Sequence, residues 1–161
     1  MRHVITMTVE NQRGVLARIV SLISGRGFNI ESLNVAPTND ASVSKMTMTM
    51  PGDDRVLEQI TKQLNKLVDV IKVTDLTQKR YLNRELVLVE VAAPDHRKRA
   101  ELADTASLFD AKVVSVQPES LTIQLVDDKD RIRDFLALLQ PFKVLDLSRS
   151  GVVAVAQATP R

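Results

Sequence analysis

The stretch Ile5-Thr6-Met7-Thr8-Val9-Glu10-Asn11-Gln12-Arg13-Gly14-Val15-Leu16-Ala17-Arg18-Ile19-Val20-Ser21-Leu22-Ile23 changes period in the middle. Ile5, Met7 and Val9 alternate with Thr6 and Thr8, the two-residue period of a half-buried strand. Leu16, Ile19, Val20 and Ile23 then recur at helical spacing, and Gly25-Arg26-Gly27 stops the helix. Outward from there, residues 28–35 read as a second strand closed by Ala36-Pro37. Residues 43–50 alternate again, and Met46, Met48 and Met50 on one face read as core. Pro51-Gly52-Asp53-Asp54 is a turn and a helix start. Val56, Leu57, Ile60, Leu64 and Leu67 form an amphipathic stripe, and residues 70–76 make the last strand. The order is β-α-β-β-α-β.

The chain then repeats that order. Residues 86–91 are a strand, and Pro94-Asp95 opens a helix carrying Leu102, Ala106 and Phe109. Residues 113–116 and 121–125 pair across Pro118-Glu119-Ser120. Residues 128–140 form a helix with Ile132, Phe135, Leu136 and Leu139 inward, and 144–148 a strand. The tail, 152–156, either extends that strand or adds a short one. Two such units in tandem give an α+β protein of two ferredoxin-like βαββαβ domains. The expected boundaries are 1–76, a polar linker at 77–83, and 84–161. Right-handed crossovers make each sheet four antiparallel strands with both helices on one face. The second strand of each is an edge, free to pair with a neighbour. Oligomerisation is expected to cover part of the other sheet face.

Composition narrows the function. The chain has 161 residues, 44% of them hydrophobic, with no Trp and one Tyr, so Val, Leu, Ile and Met must build the cores. Net charge is +2, from 22 basic and 20 acidic residues interspersed along the chain, without the basic stripe of a nucleic-acid binder. No cysteine is present, which removes disulfides, thiol catalysis and thiolate metal sites together. The N-terminus runs straight into the first strand with no secretory or transit pattern, and no apolar run reaches membrane-spanning length. A cytoplasmic location is expected.

Loops at the ends of strands carry function on rigid scaffolds. Residues 10–16 join the first strand to the first helix, whose leading amides and partial positive charge suit a carboxylate. Gly14 lets a ligand approach the backbone, and the amide of Asn11 can orient an α-amino acid. If two copies pair through the second strand, Asn29 of one lies close to the Gly14 loop of the other. Structural readings stand beside these: Gly14 as a left-handed turn residue and Asn11 as a helix cap or turn.

A resemblance adds to this. Glu10-Asn11 followed by Gly14-Val15-Leu16 and Arg18 resembles the opening of an ACT domain. Residues 26–33, Arg26-Gly27-Phe28-Asn29-Ile30-Glu31-Ser32-Leu33, then Val35-Ala36-Pro37-Thr38, resemble the small, regulatory subunits of acetohydroxyacid synthase, also called acetolactate synthase. So do Leu57-Glu58-Gln59-Ile60 and the run from Gln63 through Val70. Arg84-Glu85-Leu86 and Arg149-Ser150-Gly151-Val152-Val153 resemble that family's C-terminal domain, while residues 93–118 match weakly. The resemblance implies an ACT domain at 1–76 that dimerises and binds valine or another branched-chain amino acid at the interface. It places Asn11, Gly14 and Asn29 at the valine site, lined by Val15, Leu16 and Ile30. It implies no catalytic activity in this chain. The activity belongs to a catalytic large subunit, which this chain activates and makes subject to feedback, and which holds thiamine diphosphate, magnesium and FAD. The alternative is an ACT-type sensor serving a different enzyme.

Other signals are weaker. His96-Arg97-Lys98-Arg99 reads as a charged helix face, with contact to an acidic partner as the lesser reading. His3 and His96 lie far apart without thiolate partners, so no metal site is expected. Asp127-Asp128-Lys129-Asp130 resembles a helix start, not a calcium loop. No acid–base pair or activated nucleophile can be assembled. Neither nucleic acid nor membrane is expected as a partner.

Overall fold

The computed structural model describes residues 1–158, in two compact units. The first runs from Met1 to Leu82 and takes in the segment from Val152 onward. The second is Asn83–Gly151.

In the first unit β1 (Arg2–Glu10), α1 (Val15–Ser24), β2 (Ser32–Pro37), β3 (Val43–Pro51), α2 (Asp54–Leu64) and β4 (Val70–Asp75) follow the expected order. The sheet order is β2-β3-β1-β4, antiparallel throughout, with β2 at an edge. Alternation sends Ile5, Met7 and Val9 of β1 and Met46, Met48 and Met50 of β3 into one core with Val15, Ile19, Ile23, Leu57, Ile60 and Leu64 from the helices. Each of these fully buried side chains contributes about 1.5–3 kcal/mol by leaving water. The opposite face of the sheet is different in kind. Val4, Thr6, Thr47 and Thr49 occupy it, and the three threonines are buried.

Two local differences from the expected elements matter. The second strand starts at Ser32, not at Phe28, so Phe28, Asn29 and Ile30 form an irregular lead-in. Phe28 and Ile30 instead turn their side chains onto the core that Leu33 also meets, and that odd spacing is not possible in one continuous strand. The polar connector is also shorter than residues 77–83. β5 (Tyr81–Ala92) already starts at Tyr81.

The second unit places β5, α3 (His96–Leu108), β6 (Lys112–Val116), β7 (Ser120–Asp127), α4 (Lys129–Leu138) and β8 (Val144–Arg149) in the sheet order β6-β7-β5-β8. Val87, Val89, Val91, Leu121, Ile123 and Leu125 form its core with Leu102, Ala106, Ile132, Phe135 and Leu139. Glu85 is buried (3% exposed) and takes two hydrogen bonds from Arg149, at 2.7 and 3.0 Å. Arg149 is the ladder partner of Val87, so its side chain reaches Glu85 two positions along β5. The α+β class and the paired ferredoxin-like units are those expected from the two periods. The tail is not an extension of β8. It forms a separate strand, β9 (Val153–Ala156), which pairs with β5 and makes that sheet five-stranded where four strands were expected, and Val152 and Ala154 are buried with Val4 and Leu76. No helix among the described residues is long and apolar enough to cross a membrane.

Candidate functional site

The loop from Asn11 to Gly14 is held on both sides. The amide of Asn11 donates to the carbonyl of Ser42 at 2.8 Å, and its side-chain Nδ2 donates to the carbonyl of Ala41 at 2.8 Å. Asn11 is thus bound to the β2–β3 turn while remaining exposed. On the other side, the amide of Glu10 donates to the carbonyl of Asp69 at 2.9 Å. Arg18 grips the Asp69 carboxylate through Nε at 2.7 Å and Nη2 at 2.6 Å. This pair ties the first turn of α1 to the start of β4. Arg18 stood in the sequence motif, but its partner lies 51 positions away and no local signal connects them.

Gly14 caps α1 in the left-handed region, with φ +82°. A side chain there would be strained, and its Cβ would lie 3.1 Å from Nη1 of Arg18. No side chain caps the first turn of α1, and no acidic residue occupies it. The other three helices differ. Asp53, Asp95 and Asp128 each accept a hydrogen bond from a first-turn amide of α2, α3 and α4. The leading end of α1 therefore keeps its partial positive charge without an internal anion.

The remaining predicted residues are divided between core and surface. Val15 is buried among Ile19 and Ile23 in the core. Leu16 points outward and is 41% exposed. Ile30 is half-buried against the core, and Asn29 is exposed. Within one chain, Asn29 and Gly14 are not brought together. The lead-in to β2 is bound near one end of β3, where the amide of Glu31 donates to the carbonyl of Thr49. The Asn11 loop is bound near the other end, at Ser42. Seven residues of extended chain separate those anchors, roughly 20 Å. Arg2 and Glu31 form an ion pair that further fastens the lead-in to β1.

The other flagged groups have structural partners. His3 is buried, with Nε2 3.1 Å from the carbonyl of Gly52 and Nδ1 3.3 Å from the hydroxyl of Thr77. Arg99 donates to the carbonyls of Ala93, Gln117 and Pro118, closing the β6–β7 turn. Arg97 and Lys98 pair with Glu101, and Lys98 also lies over the ring of Phe142. Asp128 caps α4, as a helix start should.

Comparison with known proteins agrees with both halves of the chain. Residues 5–72 match the family described as the AHAS small subunit-like ACT domain, and residues 84–158 match the small subunit of acetolactate synthase. The acetolactate synthase small subunit of Aquifex aeolicus is 44% identical over 96% of this chain and 80% of its own length. That of Haemophilus influenzae is 44% identical over 98% of this chain and 96% of its own. The crystal structure of the acetolactate synthase small subunit from Thermotoga maritima superimposes with a TM-score of 0.89 at 30% identity, covering 99% of both chains. With two family matches that leave only short segments uncovered, and an ACT sheet carrying the Asn11–Gly14 loop, the chain belongs to the acetolactate synthase small-subunit family.

Proposed function

We propose that this chain forms a homodimer through β2 and binds a branched-chain amino acid, valine foremost, at the seam, thereby setting the activity of a separate catalytic subunit. The observation that carries the reading is the position of the two half-sites on one edge strand. Among the described residues β2 pairs only with β3. Its Ser32 end lies beside Asn29, and its Pro37 end lies beside Ser44, next to the turn that holds Asn11. Two antiparallel copies of β2 would set the Ser32 end of one against the Pro37 end of the other. Asn29 of each chain would then meet the Gly14 loop of its partner, twice per dimer.

The chemistry of the seam suits an α-amino acid. The uncapped leading end of α1 supports a carboxylate, Asn29 offers an amide for the ammonium or carboxylate, and Leu16 and Ile30 supply apolar surface for a branched side chain. The name small subunit, borne by the relatives, supports a large catalytic partner for this chain. That partner holds thiamine diphosphate, magnesium and FAD and performs the transferase step of branched-chain amino-acid biosynthesis. This chain has no catalytic activity alone. It activates the partner, and valine lowers the activity by favouring one of two assembled states. A coupling of about 1–3 kcal/mol suffices, and linkage requires the catalytic subunit to change valine affinity by the same factor.

Sedimentation with a calorimetric screen of the proteinogenic amino acids tests this. A dimer that binds valine, and other branched-chain amino acids less or similarly, is expected. A monomer saturated with valine, or a preference for a charged or aromatic amino acid, would overturn it.

A further inference from the structure

The sheet of the second unit has a face that its core does not use. Alternation turns Val87, Val89 and Val91 of β5 into the core, so Leu86, Leu88 and Glu90 stand on the opposite face. The ladders set their neighbours in rows. Leu86 lies beside Val126 of β7. Leu88 lies between Gln124 of β7 and Ser148 of β8, and beyond Gln124 the row ends at Lys112 of β6. Glu90 lies between Thr122 of β7 and Asp146 of β8, and beyond Thr122 the row ends at Ser115 of β6.

This face is apolar at one end and unbalanced in charge at the other. Leu86, Leu88 and Val126 are 37%, 39% and 53% exposed. Glu90 and Asp146 are direct ladder partners, and like charges so placed repel. Glu90 accepts from the hydroxyl of Ser120 at 2.7 Å and Asp146 from the amide of Leu147 at 2.8 Å, and among the described residues neither meets a cation. Lys112 is exposed on the same face and has no anion among the described residues. The sheet order puts it on the far edge strand from Asp146, roughly 14 Å across the sheet.

We infer that this face is a contact between two copies of the chain, related by a twofold axis parallel to the strands. That axis lays β6 of one copy over β8 of the other, and β7 over β5. Val126 then meets Leu86, and the Thr122 hydroxyl meets the Glu90 carboxylate. Lys112 comes over Ser148, beside Asp146, and brings to the carboxylates the cation that their own chain holds out of reach. A twofold axis at right angles to the strands does the reverse. It sets Lys112 against Lys112 and Leu86 against Glu90, and both juxtapositions are costly. The face therefore complements itself about one axis and not about the other. It offers roughly 400 Å² per copy, about half of a standard interface, so the contact is weak by itself. It is separate from the β2 seam and does not depend on it.

Cross-linking captures a weak contact, and the chain has no cysteine to interfere. Ser115→Cys and Ser148→Cys are made singly in the full-length chain, mixed to let copies exchange, and treated with a short bismaleimide. The twofold axis brings Ser115 of one copy near Ser148 of the other, while like residues stay on opposite edges. A product of twice the chain mass is expected from the mixture and not from either variant alone. Adding Lys112→Asp to both chains is expected to lower its yield about tenfold, and adding Asp146→Lys as well is expected to restore it. No product from the mixture, equal product from the single variants, or a loss that the charge exchange does not restore would overturn the pairing. Thiols that become protected only when the catalytic subunit is added, with no product in its absence, would give the face to that partner and overturn the pairing too.

Discussion

Arg18 reaches across the open side of Gly14. It holds Asp69 through Nε and Nη2, and its third nitrogen, Nη1, ends 3.1 Å from where a Gly14 side chain would begin. The glycine is thus required twice, by its left-handed backbone and by the guanidinium above it.

Gly14→Asp should act on both. The left-handed φ of +82° is expected to cost about 1 kcal/mol with Asp in place of Gly. The new carboxylate would also compete with Asp69 for Arg18 and occupy the end of α1 where an effector carboxylate docks. Valine titration of the reconstituted enzyme should show weakened inhibition with activation of the catalytic subunit retained. Unchanged inhibition would count against the site.

Asn11 and Asn29 should separate stability from binding. Asn11→Ala removes the hydrogen bond to the carbonyl of Ala41 and is expected to lower unfolding free energy by about 1 kcal/mol in urea titrations. Asn29 is exposed in the single chain, so Asn29→Ala should leave the unfolding midpoint unchanged. Calorimetry should nevertheless show weaker valine binding for Asn29→Ala. Wild-type affinity would remove Asn29 from the site.

Within the basic cluster on α3, one residue should matter more than its neighbours. Arg99→Ala leaves the carbonyls of Ala93, Gln117 and Pro118 without their donor, an expected loss of about 1–2 kcal/mol by chemical denaturation. Arg97, on the solvent side and paired with Glu101, should be replaceable by Ala with no measurable change.

Acid should weaken the start of α4. Burial raises the Asp127 pKa, but the amide of Asp128, the hydrogen bond and charge of Arg131, and the charge of Arg84 outweigh it and hold the carboxyl below 3.8. A depressed folded-state pKa gives stability that is present above the unfolded value and lost as pH falls through the folded one. The difference in melting temperature between wild type and Asp127→Asn should therefore be constant near neutrality and shrink below about pH 4. A difference that persisted at pH 2 would show that the charge plays no part.

Much of this fold is legible in the sequence. The alternation of Ile5, Met7 and Val9, the methionines of β3 and the helical stripes are local patterns, and local periodicity identifies which face of an element avoids water. The second unit followed for the same reason. Phe28 and Ile30 misled because apolar residues beside a strand look like strand residues, although here they seal the core from a lead-in segment.

The chain's own residues, read in order, determined the elements, their sequence and the glycine-bearing loop, because backbone propensity and burial periodicity act over a few neighbours. Tertiary structure alone decided that Arg18 meets Asp69, that Asn11 is tied to Ala41, that Asn29 and Gly14 lie near opposite ends of β3, and that Val152 and Ala154 cover Val4. Those are choices of partner between residues distant in sequence. They depend on which faces and donors remain unsatisfied once the sheet has formed, and no local period encodes that.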